Sequence, residues 1–113
     1  ERQWSDAGPH EFAAFIANAG AVATTFFHGC VFALRFRRPF ACEASWYRGT
    51  KLRCLMRQVG GNRHLIDGSM PMQQMATLLD TPPTEEVAAR IAALRTSSQR
   101  FLCDALRASA IAA

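Results

Sequence analysis

No stretch of this sequence is both long and apolar enough to cross a bilayer. The longest candidate, Phe12 to Leu34, is broken by Gly20, His28 and Gly29, whereas a span needs roughly 20 consecutive apolar residues. No charged segment leads into an apolar core and a small-residue cleavage site, so no signal peptide is read at the N-terminus. None of the four cysteines, Cys30, Cys42, Cys54 and Cys103, forms a Cys-x-x-Cys pair, and no His-x-x-x-His set accompanies them. A zinc site is therefore not expected, and neither is any other metal or cofactor. Each cysteine has apolar neighbours, where a free thiol behaves as a small buried hydrophobe, so a reduced, cytoplasmic protein is expected. A G-x-x-x-x-G-K-S/T phosphate loop is lacking, which argues against nucleotide hydrolysis. There is no internal repeat and no low-complexity segment.

What is present reads as globular. Of 113 residues, 50% are hydrophobic and 19% charged, a balance that permits a buried core. Thirteen basic residues against nine acidic ones give a formal charge of +4. The excess is modest, with local density at Arg35, Arg37 and Arg38 and at Arg48, Lys51, Arg53 and Arg57. No nucleic-acid-binding signature accompanies it, so no nucleic-acid partner is expected and an anionic small molecule is the better match. The chain opens at Glu1 and enters a helical pattern within ten residues, as a piece of a longer protein would.

The spacing of Phe12, Phe15 and Ile16 predicts a helix over 10–18, stopped at Asn18-Ala19-Gly20 by a left-handed glycine. Ala21 to Thr25 is short, small and without polar alternation, as in a parallel strand covered on both faces. Phe26-Phe27-His28-Gly29 follows as a turn, and Cys30 to Phe36 as a short buried helix ended by Arg37-Arg38-Pro39. Phe40 to Ala44 reads as a second strand, and Tyr47 to Arg57 as a helix broken by Gly60-Gly61-Asn62. A further helix is expected over 72–79. Asp80-Thr81-Pro82-Pro83-Thr84-Glu85-Glu86 carries a capping hydroxyl, an early proline and first-turn acids, and so opens the closing helix, 84–108. Val87, Ile91, Leu94, Phe101, Leu102 and Ala105 form its apolar face. The expected fold is α/β: a helix-rich fragment of a Rossmann-like domain, with a short parallel sheet and a long C-terminal helix. Two strands do not make an independently stable sheet, so further strands are expected from the rest of the domain.

In open α/β folds, ligands bind beyond the carboxyl ends of the strands. His28-Gly29 falls there, between a strand and a helix whose N-terminus offers unpaired N–H groups to a phosphate or carboxylate. A glycine lets a ligand approach the backbone, and a histidine can donate or accept a proton near neutral pH. Trp46, just past the second strand, is a candidate for stacking on a sugar ring. Glu43, inside or at the end of that strand, is a candidate base but reads more readily as a structural carboxylate, and His10 and His64 read as solvated side chains.

These segments taken in order resemble a known family. Glu11 to Ala19, then Ala21-Val22-Ala23-Thr24-Thr25-Phe26-Phe27-His28-Gly29, then Phe32 to Phe40, are similar to the C-terminal signature of polysaccharide pyruvyl transferases. That signature is a helix, a strand, an aromatic-His-Gly turn, a short apolar helix and a basic-Pro-aromatic entry to the next strand. The likeness extends through Gly49-Thr50-Lys51-Leu52 and Leu65-Ile66-Asp67 to the closing helix, covering about residues 10–108. It implies the second domain of a GT-B-type enzyme that lacks its N-terminal domain here and transfers a pyruvyl group from phosphoenolpyruvate onto a glycan acceptor. The family histidine matches His28, which becomes the catalytic candidate. Thr25, Gly29, Trp46, Arg48 and Lys51 become the substrate-binding candidates. Phe26 departs from the pattern, standing where many members carry a polar or basic residue. A nucleotide-sugar glycosyltransferase and a non-catalytic glycan- or partner-binding domain are the alternatives.

Overall fold

The computed structural model describes residues 2–44, Tyr47 and residues 49–112. Five helices and three strands alternate along it: α1 (Pro9–Asn18), β1 (Val22–Thr24), α2 (Phe27–Arg35), β2 (Phe40–Glu43), α3 (Gly49–Val59), a single 3-10 turn (Asn62–His64), β3 (Leu65–Ile66), α4 (Met72–Asp80) and α5 (Glu85–Ala112). The strands form one parallel sheet in the order β1-β2-β3. Val22, Ala23 and Thr24 lie opposite Phe40, Ala41 and Cys42, and Cys42 and Glu43 lie opposite Leu65 and Ile66. This is the helix-rich α/β arrangement of a Rossmann-like fragment, with strand-to-helix connections after β1 and β2.

Two expectations about the sheet need correction. A third strand exists, made of only Leu65 and Ile66, too short to leave a periodic signal. Second, β1 is not covered on both faces: Ala23 is exposed, and only β2 is buried over three consecutive residues. The main core lies where α2, α3 and the start of α5 meet β2, through Cys30, Ala33, Leu34, Phe40, Cys42, Leu52, Met56, Val59 and Val87.

The helix ends follow local backbone chemistry. α1 stops with Ala19 extended, so Gly20 does not supply the left-handed stop. Among the described residues, left-handed backbone occurs at Arg37 (φ 53°) and Gly60 (φ 72°). Both follow helices in the same way: the Arg38 N–H donates to the Ala33 carbonyl at 2.9 Å, and the Gly61 N–H to the Met56 carbonyl at 2.8 Å, as in a Schellman ending. At the start of α5 the Thr84 hydroxyl accepts the Val87 N–H, the cap expected there.

α5 runs to Ala112, past the expected end at Ala108, because no glycine or proline interrupts Glu85–Ala112. The expected apolar face is buried only at its beginning. Val87 is enclosed and Ile91 half-buried, while Leu94, Phe101 and Leu102 are exposed. A 28-residue helix is about 42 Å long, and the chain's 57 Å long axis reflects it. The radius of gyration, 16.7 Å, exceeds the roughly 13 Å of a compact chain of this length.

His64 reverses its expected position. It is fully buried, with its ring stacked on Phe40 at 4.1 Å between centroids. Nδ1 lies 2.8 Å from the Phe40 carbonyl oxygen, and the Arg63 Nε–H points to Nε2 at 3.4 Å. Arg63 can only donate, so Nε2 accepts and the proton resides on Nδ1, giving a neutral ring. Burial holds the His64 pKa below 6.5, the Phe40 carbonyl opposes that shift, and the Arg63 charge reinforces it. A lowered folded pKa means that the unfolded chain takes up the proton first as pH falls. Stability from this group is therefore complete above about pH 6.5 and is lost below it. We expect the thermal midpoint to fall between pH 7.5 and 5.5. In His64→Asn, which keeps a donor for the Phe40 carbonyl but gains no proton, that slope should flatten. An unchanged slope in the variant would assign the acid sensitivity elsewhere.

The cysteines divide into two pairs. Cys30 and Cys42 are buried in the core, whereas Cys54 and Cys103 are exposed, contrary to the expectation that all would be covered. The neighbouring Cys42 thiol and desolvation both push the Cys30 pKa far above the usual thiol range.

Candidate functional site

The site begins where β1 ends. The Thr24 hydroxyl accepts the Phe26 N–H at 3.0 Å, holding Phe26 extended as the residue that precedes α2. The first helical hydrogen bond runs from the Cys30 N–H to the Phe26 carbonyl at 3.2 Å. α2 therefore opens at Phe27 rather than at Cys30, and His28 and Gly29 lie in its first turn, not in a turn before it. In that position the N–H groups of Phe27, His28 and Gly29 have no partner within the helix and carry the positive end of its dipole.

Gly29 does different work from that expected. It is buried, and a Cβ placed there would stand 2.5 Å from the Thr24 Oγ1. The missing side chain admits the Thr24 side chain, not a ligand. Its contribution to the site is its N–H and the close seating of α2 on β1.

Tyr47 and the first turn of α3 lie across from the connection between β1 and α2. Gly49, the first residue of α3, is buried beneath the Arg53 guanidinium. Arg53 Nη2 donates to the Ala44 carbonyl at 3.1 Å, tying α3 to the end of β2. Arg53 is thus a clamp rather than part of a free basic face. The adjacent Thr50 and Lys51 are exposed on the first turn of α3.

Between the two connections lies a cleft of about 450 Å³, lined by Thr25, Phe26, Phe27, His28, Tyr47, Thr50, Lys51 and Leu52. Lys51 Nζ sits 5.9 Å from the centroid of the Phe27 ring, within reach of a cation–π contact. The cleft brings together two helix N-termini, an imidazole, an ammonium and three hydroxyls, a set suited to an anion. Of the residues singled out from sequence, Thr25, His28 and Lys51 line it, whereas Gly29 is buried and does not. Trp46 and Arg48 lie outside the described residues. Tyr47, exposed on the second connection, and Thr50 are additions. The signal for both was available: the second strand-to-helix connection obeys the same rule as the first. Among the described residues, no group of three His, Cys, Asp or Glu side chains is placed to hold a metal ion.

Residues 2–47 match the family model described as polysaccharide pyruvyl transferase. The matched stretch takes in α1, β1, α2 and β2, including Phe26-Phe27-His28-Gly29, and ends on Tyr47 at the rim of the cleft. Lys51 and the closing helix lie beyond it. No curated protein and no solved structure gives a significant match. At family level the pyruvyl transferase match supports a transferase acting in polysaccharide chemistry. No helix among the described residues is long and apolar enough to cross a membrane.

Proposed function

We propose that this protein transfers a pyruvyl group from phosphoenolpyruvate onto a sugar of a cell-surface polysaccharide or its precursor, and that the cleft at His28 holds the donor. The observation that carries the reading is the convergence of two helix N-termini, His28 and Lys51 on one cleft at the edge of the family-matched segment. Phosphoenolpyruvate carries a phosphate and a carboxylate, and the unpaired N–H groups of α2 together with Lys51 are matched to such charge. Ketal formation adds a proton to C3 of the enol, joins two sugar oxygens to C2 and releases phosphate. Of the two hydroxyl protons given up, one balances the new methyl hydrogen and the other leaves with the phosphate. His28, exposed in the cleft, is the proton donor to C3. Thr25 and the Gly29 N–H complete the donor contacts, and Arg48 and Trp46 are assigned to the same rim on the family likeness alone.

The reading places this segment in the second domain of a GT-B-type enzyme, with an N-terminal domain supplying the remaining contacts. The parallel sheet with a cleft at its carboxyl edge supports that placement. A cytoplasmic setting is part of the proposal, supported by four free thiols and by the reducing conditions such thiols need.

The test is phosphate release from phosphoenolpyruvate by the full-length protein in the presence of an acceptor glycan. Release that depends on both compounds is the expected result. Turnover of a nucleotide sugar without response to phosphoenolpyruvate would replace this reading with a glycosyltransferase whose diphosphate occupies the same cleft. No thermal shift with either donor would leave a binding domain.

A further inference from the structure

A second cleft of about 350 Å³ adjoins the first, lined by Ala23, Thr24, Thr25, Phe26, Ala41, Glu43 and Ile66. The two share Thr25 and Phe26, which form the ridge between them. Strand register explains its shape. Ala23 and Ala41 are paired, as are Glu43 and Ile66, so two methyl groups make a low floor with a carboxylate and an aliphatic side chain beyond it. Phe26, 64% exposed, walls the groove with a large apolar surface kept in water. Glu43 is exposed, and neither ion pair among the described residues, Arg37–Glu85 nor Arg90–Glu86, engages it.

The two clefts therefore differ in sign. The first presents Lys51 and helix N-termini, while the second presents one carboxylate over apolar walls. An anion entering the second would meet Glu43, and no cation is among the described residues that line it. A neutral ring with a C–H face and a rim of hydroxyls suits it: the face covers Phe26 and the alanine floor, and hydroxyls donate to the carboxylate.

We propose that the Glu43 cleft is the acceptor-sugar subsite, with Phe26 as its stacking wall and Glu43 as the base for the attacking hydroxyl. The proposal rests on the pyruvyl-transfer reading for its chemistry but not for its binding. As the first sugar oxygen bonds to C2 of the enolpyruvate across the Thr25-Phe26 ridge, the hydroxyl proton passes to Glu43 and C3 takes a proton from His28. When the second hydroxyl displaces phosphate at C2, its proton leaves with the phosphate. The proton on Glu43 returns to His28 through solvent, which closes the balance.

Glu43→Gln and Phe26→Ala in the full-length protein test this, with the donor and acceptor sides read separately. Glu43→Gln should lower kcat about 100-fold or more, while the thermal shift produced by phosphoenolpyruvate alone stays at the wild-type value. Phe26→Ala should raise the acceptor KM about tenfold; because Phe26 also borders the first cleft, the donor side is read in Glu43→Gln alone. Full activity in Glu43→Gln, loss of the donor shift in that variant, or an unchanged acceptor KM in Phe26→Ala would overturn the assignment. If the wild type does not respond to phosphoenolpyruvate, the pyruvyl reading fails. The subsite is then read by saturation-transfer NMR with methyl glycosides of glucose, galactose and mannose. A signal that disappears in Phe26→Ala and Glu43→Gln retains the sugar site, and no signal in the wild type removes it.

Discussion

His28→Ala is expected to lower phosphoenolpyruvate-dependent turnover of the full-length protein by about 10²–10⁴-fold, the usual worth of a positioned proton donor. Stability should hardly change. His28 is exposed in the first turn of α2, and its recorded ring contact is an edge-on approach to Phe27 at 5.7 Å. Alanine is a good helix former there, and surface changes of this kind usually stay within about 0.5 kcal/mol. The combination separates chemistry from folding: turnover should collapse while the thermal midpoint holds. A loss confined to KM would make His28 an anion contact instead of an acid. Unchanged phosphate release would remove it from the mechanism, leaving Lys51 and the helix N-termini to explain the cleft.

Gly29→Ala should act in the opposite order, through the fold first. The new methyl group would stand 2.5 Å from the Thr24 Oγ1 and about as close as bonded packing forbids, at 3.0 Å and 3.1 Å, to the Thr24 Cβ and Cγ2. Either α2 lifts from β1 or Thr24 turns and surrenders the Phe26 N–H. Overpacking of this kind costs about 1–3 kcal/mol, against up to about 1 kcal/mol gained by replacing glycine with alanine in a helix. Urea denaturation should show a net loss. Thr24→Ala in the same chain should recover only part of it, because the Thr24 Cβ remains in contact. Turnover should fall as well, since His28 and the N–H groups move with the helix and a displacement of about 1 Å can cost 10²-fold. A Gly29→Ala protein as stable as wild type would contradict the tight seating of α2 on β1.

The two experiments probe one short segment from different sides. Thr24 caps the approach to α2, Gly29 allows the helix to sit against the strand, and His28 between them faces the cleft. Function and packing thus share a single turn of helix, so the sign of each change must be read in both stability and rate.

The order of elements was written in local chemistry. Apolar spacing at Phe12, Phe15 and Ile16 made a helix, Thr84 with the acids after it opened α5, and Gly60 closed α3. The strand-turn-helix series around His28 located the cleft as well, because strand ends and helix starts carry their own residue types. Side-chain contacts in three dimensions, some local and some between distant segments, decided the rest. The start of α2 depends on the Thr24 hydroxyl meeting the Phe26 N–H, and Gly29 is required by Thr24 across the packing, not by a ligand. His64 looked like a polar loop residue until Phe40, from β2, supplied both a stacking face and a carbonyl. Leu65-Ile66 became a strand only because β2 offered it hydrogen bonds. The pairing of Ala23 with Ala41 hollowed the groove beside Glu43. The last three outcomes need partners far apart in the chain, and periodicity along one segment carries no information about the other.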